Sequence, residues 1–267
     1  MWNRRLTITP VLVIVGLTRA LAQTGQASGM PVMKPETQAA AQNRDRSLEV
    51  LRCAQQAAGG LPRLLAIRDI TRAVEMVSNG ATARQTVEII LPDTIRLTNT
   101  AGAAEITAFF DGISGWIKSP WGVDNLLPPW QRTAAEQDLM RQLESLLQSD
   151  HDNRKTVEFV ESAAVGDRMA NVLKISTPVA GNVRLAIDAV SCDSLRLEYT
   201  RIGPRGPGPL ITDFYSDYRK LPNGLRMPFR IRTLSDGKPY METVVTSVEY
   251  NRGLRAEALS RHDSGLP

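Results

Sequence analysis

Residues 85–98 read QTVEIILPDTIRLT, and this stretch decides the fold class. Apolar side chains alternate with polar ones on both sides of the Pro92-Asp93 pair: they are Val87, Ile89, Leu91, Ile95 and Leu97. Alternation with period two is typical of a strand that has one buried and one exposed face. Because Pro-Asp favours a turn, the stretch predicts two antiparallel strands joined by a short connection.

The same period recurs along the chain, in runs at residues 183–187, 195–199, 227–231 and 244–250. Turn signals separate such runs, among them Asp111-Gly112, Gly166-Asp167, Asn223-Gly224 and Asp236-Gly237. Parallel strands that are covered on both faces read as continuous apolar stretches, whereas these runs alternate. We therefore predict a mainly β (α+β) domain, built on one large curved antiparallel sheet of roughly ten strands.

Two helices are predicted beside the sheet. The first runs over residues 47–58, with Ser47 as its N-cap and Gly59-Gly60 as its end. The second follows Pro128-Pro129 and ends near Ser149. Its apolar stripe consists of Ala135, Leu139, Leu143, Leu146 and Leu147. A helix on the concave side of a curved sheet buries the apolar face of that sheet, so we place both helices there.

The first 22 residues have the three parts of a cleavable signal peptide. Arg4 and Arg5 precede an apolar stretch at residues 6–18, and Ala20-Leu21-Ala22 forms the cleavage site. A spanning helix needs about 20 apolar residues, so this stretch is too short for an anchor, and we expect no membrane-spanning segment after cleavage. The predicted organisation is a signal peptide at 1–22, a flexible lead-in at 23–44, one domain at 45–257 and a polar tail at 258–267.

The charge of the exported part argues against a nucleic-acid partner. The chain has 32 basic and 28 acidic residues, and the signal peptide contains Arg4, Arg5 and Arg19 but no acid. The remaining residues thus carry a net charge of only +1, without a basic run. A nucleic-acid binder has a concentrated basic face.

Two cysteines, Cys53 and Cys192, leave two alternatives open. Export places them in a compartment that permits disulfides, and a bridge between them would close a long loop. Alternatively, Cys53 is a buried thiol on a helix face and Cys192 lies in a turn.

The sequence contains no pattern that is typical of catalysis or metal binding. Its two histidines, His151 and His262, have no cysteine, histidine or carboxylate cluster at ligand spacing. Period two places Asp213 and Asp217 on one strand face, which we interpret as solvated. We predict no metal, no cofactor and no enzymatic activity.

One group of aromatic residues is a candidate ligand site. Apolar groups at a junction between elements line ligand cavities, but they also serve as ordinary packing between helix and sheet, and the sequence leaves both alternatives open. Together with the stripe of the second helix, the candidates for lining a cavity are Phe109, Trp116, Trp121, Trp130, Leu139, Leu143 and Leu147.

Short motifs resemble the periplasmic lipoprotein-carrier family with the LolA/LolB-like fold. A strand ending in Leu91-Pro92 is followed by DGISGW at residues 111–116, and FYSDYR at 214–219 is followed by LRMPFR at 225–230. The resemblance covers residues 47–257 in layout. It implies an unclosed half-barrel with a helical lid over an apolar cavity, and neither cofactor nor catalysis. Where the family has a lid-holding arginine before the strand-ending proline, this chain has Leu91.

Two functions remain as hypotheses. The first is a periplasmic, monomeric carrier that holds an apolar ligand, such as a lipid or the acyl chains of a lipoprotein, between sheet and lid. The alternative is an envelope regulatory or scaffold domain that binds a protein partner, because the fold alone does not choose between them.

Overall fold

The computed structural model of this chain describes residues 38–124, 128–178 and 180–261. The predicted signal peptide and most of the predicted lead-in lie outside the described residues. The strands are β1 (Asp69–Ser78), β2 (Ala81–Ile90), β3 (Thr94–Ala101), β4 (Ala104–Phe110), β5 (Gly115–Ser119), β6 (Gly122–Asp124), β7 (Thr156–Val165), β8 (Arg168–Thr177), β9 (Gly181–Asp188), β10 (Ser194–Gly203), β11 (Gly206–Lys220), β12 (Arg226–Ser235) and β13 (Lys238–Tyr250). The helices are α1 (Gln38–Ala57), α2 (Leu61–Leu65), α3 (Pro129–Met140), α4 (Leu143–Leu146), a 3-10 turn (Ser149–His151) and α5 (Ala256–Leu259).

All described strands belong to one antiparallel sheet with the order β6-β5-β4-β3-β2-β1-β13-β12-β11-β10-β9-β8-β7. Two meanders run outward from the central pair of β1 and β13, in which Ile70 lies opposite Tyr250. Within the described chain the edge strands β6 and β7 do not pair with each other, so the sheet forms an unclosed half-barrel. The predicted fold class is confirmed.

The sheet has 13 strands, which is more than the sequence predicts. The strand β8, which contains none of the alternating runs, is buried on both faces, because Leu173 joins the main core and Val172 joins a separate cluster on the other face. Burial on both faces removes the alternation that identifies a strand. The strands β5 and β6 are too short to show a period.

The main core lies between the helices and the sheet. It includes Leu51 of α1, Leu64 of α2 and Leu146 of α4, which pack with Ile70 and Ile89 of the sheet. These side chains are almost completely buried, and burial of a leucine or isoleucine stabilises a fold by about 1.5–3 kcal/mol.

The first helix begins earlier than predicted. It starts at Gln38 rather than at Ser47, so part of the predicted lead-in is helical. Ser47 is buried inside α1 and is not its N-cap: its Oγ donates to the carbonyl oxygen of Asn43 at 2.7 Å and accepts from the backbone N–H of Phe159 at 2.7 Å. The residues before Ser47 include alanine, glutamine and arginine, which are good helix formers, but no large apolar side chain, so no hydrophobic period marks this part of the helix.

The predicted second helix is broken. The segment α3 ends at Met140, and Gln142 takes an extended conformation (φ −58°, ψ 130°) before α4 begins at Leu143. The side chain of Gln142 donates to the carbonyl oxygen of Asp138 at 2.9 Å, which satisfies one of the free carbonyls at the end of α3. The stripe of leucines has a continuous helical period, so the sequence gives no sign of this break.

The beginning of the predicted polar tail is packed. Leu259 of α5 is 2% exposed and joins a cluster with Phe109 and Trp116, and the indole Nε1 of Trp116 donates to the carbonyl oxygen of Ser260 at 2.8 Å. The residues after 261 lie outside the described part of the chain.

We expect the substitution Leu259→Ala to lower the free energy of unfolding by about 2 kcal/mol, because it leaves a void in this small cluster. Urea denaturation followed by tryptophan fluorescence measures the change. Leu210→Ala is the matched control, since Leu210 is 45% exposed and its loss should change stability by less than about 0.5 kcal/mol. Equal values for the two variants would show that the tail does not contribute to stability.

Candidate functional site

The candidate residues from the sequence lie in different places. Leu143 lines a cavity between α3–α4 and the sheet. Leu139 and Leu147 are buried in the main core. Among the described residues, Leu143 is the one candidate of the seven that lines this cavity; the six that do not line it are Phe109, Trp116, Trp121, Trp130, Leu139 and Leu147.

The four aromatic candidates are packed elsewhere or exposed. Phe109 and Trp116 stack with their ring centroids 5.8 Å apart, in the cluster that Leu259 completes. Trp121 is 82% exposed in the turn between β5 and β6, and Trp130 is half-buried on α3. Phe109 alternates with Phe110, and only Phe110 faces the main core. Of the two alternatives, core packing therefore describes Phe109 and Trp116.

The cavity has a volume of about 440 Å³. This volume falls within the range of about 300–1,000 Å³ that is typical of sites for one small molecule. Tyr240 belongs to its wall and is 43% exposed, so the cavity reaches the surface at the start of β13. Its sheet wall combines polar side chains with a group of apolar ones, which includes Val74, Val87, Ile95, Leu97, Met227, Phe229 and Val245.

The short helix α4 is held to the sheet by a buried ion pair. Arg72 of β1 donates from Nη2 to Oε1 of Glu144 at 2.5 Å, and from Nη1 to Oε1 of Gln142 at 2.9 Å. The hydroxyl of Tyr250 donates to the same oxygen of Glu144 at 2.7 Å. Burial alone would raise the pKa of Glu144, but the charge of Arg72 and the bond from Tyr250 hold it below its usual value. Glu144 is therefore ionised at neutral pH and fixed to the sheet.

A second group of polar side chains faces the cavity beside α3, and we call it the Arg141 cluster: Arg141, Asp138, Tyr199, Asp213 and Tyr215. Arg141 donates from Nε to Oδ1 of Asp138 at 2.8 Å, and its guanidinium carbon lies 5.4 Å from the ring centroid of Tyr199. Tyr199, Asp213 and Tyr215 project from neighbouring strands, since Tyr199 lies opposite Ile211 and period two places Ile211, Asp213 and Tyr215 on one face.

The interpretation of Asp213 as solvated is wrong. Asp213 is buried, and its Oδ1 accepts a hydrogen bond from Oγ1 of Thr233 at 2.6 Å. Burial raises the pKa of Asp213, and Arg141 partly opposes this shift. Burial also raises the pKa of Tyr199, to about 12, so its hydroxyl stays protonated at neutral pH. Asp217, in contrast, is exposed and paired with Arg219 at 2.6 Å.

Sequence reasoning missed the charged residues of the cavity wall. In the sequence, Arg72 and Asp213 each occupy a strand position that the alternation assigns to a solvent-exposed face. The sequence does contain one signal: period two places Asp213 on the same strand face as Ile211 and Tyr215, and the structure shows that Ile211 belongs to the main core.

The two cysteines are joined. Cys53 of α1 and Cys192, in the turn between β9 and β10, form a disulfide with their Cα atoms 5.5 Å apart, across 139 positions of sequence. This Cα separation is within the usual range for a disulfide. The bond ties α1 to one end of the sheet.

Two further observations concern the described residues only. They contain no group of three or more histidine, cysteine, aspartate or glutamate side chains that is arranged to hold a metal ion. None of the helices they form has the length and apolar character that crossing a membrane requires.

No protein-family model matches the chain. No curated protein matches it either. Solved structures do: a domain described as a putative outer membrane lipoprotein-sorting protein from Vibrio parahaemolyticus aligns with a TM-score of 0.55 and 12% identity, over 82% of this chain and 100% of that one. A LolA superfamily protein from Nitrosomonas europaea aligns with a TM-score of 0.56 and 15% identity, over 80% and 97%. At these identities the similarity establishes a shared fold.

Proposed function

From the LolA-like fold that this chain has, we propose that it is a periplasmic carrier which binds one apolar ligand, a lipid or an acyl chain, in the cavity between the sheet and α3–α4. The observation that carries the proposal is the group of apolar side chains on the sheet wall beneath a two-part helical lid, α3–α4. The fold supports it, because the comparison structures of similar fold include one described as a lipoprotein-sorting domain.

The physical driving force is the removal of the ligand from water. Val87, Ile95 and Val245 belong to the apolar group on the sheet wall of the cavity. Each CH₂ group that moves from water to such a surface contributes about 0.8 kcal/mol. The cavity of about 440 Å³ suits a single chain better than several. The proposed role is binding by a monomer, without chemical change of the ligand and without a cofactor.

The lid is held differently from the arrangement that the resemblance implies. Leu91 stands where the family has an arginine, and it packs against the main core. In this chain Arg72 contacts the lid, through Glu144 and Gln142. A ligand that displaces α4 has to compete with this ion pair, so we propose that Arg72 limits the opening of the lid.

We expect Ala134→Trp to weaken ligand binding at least about tenfold, because Ala134 of α3 lines the cavity and an indole there occupies the space of the ligand. Displacement of the neutral dye N-phenylnaphthylamine measures the affinity. Ser247→Trp is the matched control, since Ser247 is exposed on β13 and adds the same ring outside the cavity. Thermal melting of both variants verifies that they are folded.

Equal dye affinity in Ala134→Trp and in the unaltered protein would contradict the cavity as the binding site. A protein that is isolated without lipid, takes up no dye and captures a second envelope protein would favour the alternative function, a regulatory or scaffold domain.

A further inference from the structure

Basic and acidic side chains around the cavity are equal in number. Among the described residues that line it, the cationic side chains are Arg72, Arg141 and Arg201, and the anionic ones are Asp138, Glu144 and Asp213. Arg72 and Glu144 already neutralise each other at a distance of 2.5 Å. The remaining charges belong to the Arg141 cluster and to Arg201 at its exposed rim.

Within the Arg141 cluster, the guanidinium group shares the cavity wall with two carboxyl groups, those of Asp138 and Asp213. Arg141 donates to Asp138 from Nε, and its charge also acts on the buried carboxyl of Asp213. Either kind of ionic ligand is therefore opposed. An anionic head group beside Arg141 meets the repulsion of Asp138, and also that of Asp213 when this buried carboxyl is ionised. A cationic head group meets the repulsion of Arg141.

The same cluster offers donors and acceptors side by side. The guanidinium of Arg141 donates, the carboxyl of Asp213 accepts, and the hydroxyls of Tyr199 and Tyr215 do both. A hydroxyl group on the ligand can donate to Asp213 and accept from Arg141 or a tyrosine at once. Protonation of Asp213 would not remove this match, because a neutral carboxyl pairs with a hydroxyl as well.

We propose that the Arg141 cluster recognises an uncharged head group that bears hydroxyls, such as the glycerol of a monoacylglycerol. This inference rests on the proposed function. The acyl chain then lies along Val87, Val245 and Phe229, and the head group lies between α3 and the strands β10 and β11. The ligand class is a neutral amphiphile with one chain.

The test compares four ligands that have the same 18-carbon monounsaturated chain length and different heads: monooleoylglycerol, oleate, oleylamine and methyl oleate. Native mass spectrometry or calorimetry below the micelle concentration gives each Kd. We expect monooleoylglycerol to bind at least about tenfold more tightly than each of the others, because a buried polar site that loses its partner is penalised.

Two variants change the charge balance in opposite directions. Asp213→Asn should improve the binding of oleate relative to monooleoylglycerol, and Arg141→Gln should improve that of oleylamine. Asp217→Asn is the control, because this exposed carboxylate lies outside the cavity and should leave the order of the four ligands unchanged.

Each outcome has a distinct meaning. Equal affinity for all four ligands, or tighter binding of oleate or oleylamine by the unaltered protein, overturns the head-group inference and leaves the carrier function standing. Binding of none of the four overturns the proposed function itself. If Asp213→Asn does not fold, the ligand order of the unaltered protein decides alone.

Discussion

Replacing both cysteines by alanine is expected to lower the free energy of unfolding by about 4–5 kcal/mol, because the Cys53–Cys192 bond closes a loop of 139 positions. In the chain-entropy model a cross-link acts mainly by reducing the freedom of the unfolded chain, and a long loop gains most. Urea denaturation under oxidising conditions, monitored by circular dichroism, measures the difference.

Reduction of the unaltered protein is the matched control for this prediction. With a reducing agent present, its unfolding midpoint should approach that of the double variant, while the midpoint of the variant should not move. Two titratable thiols in the oxidised protein, together with an unfolding midpoint that does not change when the reducing agent is added, would show that the disulfide is not formed.

Arg72→Met is expected to destabilise the protein by about 3–5 kcal/mol, because it leaves the carboxylate of Glu144 buried without its cation. The side chain of Glu144 is 1% exposed and that of Arg72 is 18% exposed, so neither is well solvated. Loosening of α4 should also increase the exchange of its backbone amide hydrogens, which mass spectrometry detects at residues 143–146.

The exposed pair of Arg84 and Glu75 provides the control, since Arg84→Met makes the same change on the neighbouring strand β2. Their side chains are 78% and 45% exposed, and such a pair contributes at most about 1 kcal/mol. The double variant Arg72→Met with Glu144→Met should recover most of the loss, because no unpaired charge remains. Similar losses for Arg72→Met and Arg84→Met would show that the buried pair does not hold the lid.

Much of the sheet could be predicted from the sequence, because most strands have one buried face and one face that is exposed to solvent. At Val87, Ile89, Ile95 and Leu97 the alternation gives strand, face and antiparallel pairing together, and Val87 indeed lies opposite Leu97. The pattern fails where both faces are buried, as at Val172 and Leu173 of β8. It also fails in helices, where the polar start of α1 and the break at Gln142 leave the apolar period unchanged.

The site was harder to predict than the fold. Leu143 lines the cavity, as its place in the leucine stripe suggests. Leu139 and Leu147 belong to the same stripe but are buried in the main core and do not line the cavity. The aromatic candidates Phe109 and Trp116 do not line the cavity, because they lie opposite each other on β4 and β5 and pack against Leu259. The polar residues of the cavity come from segments far apart in sequence, such as Arg141 and Asp213, and only the folded sheet brings them together.

The most direct measurement of the central claim is a crystal structure of the protein with a monoacylglycerol that carries bromine on its acyl chain. We predict one anomalous peak per chain inside the cavity, between Val87 and Val245, with the glycerol head beside Arg141 and Asp213. Bromine peaks confined to the outer surface, with the cavity closed over by the protein's own side chains, would contradict the account.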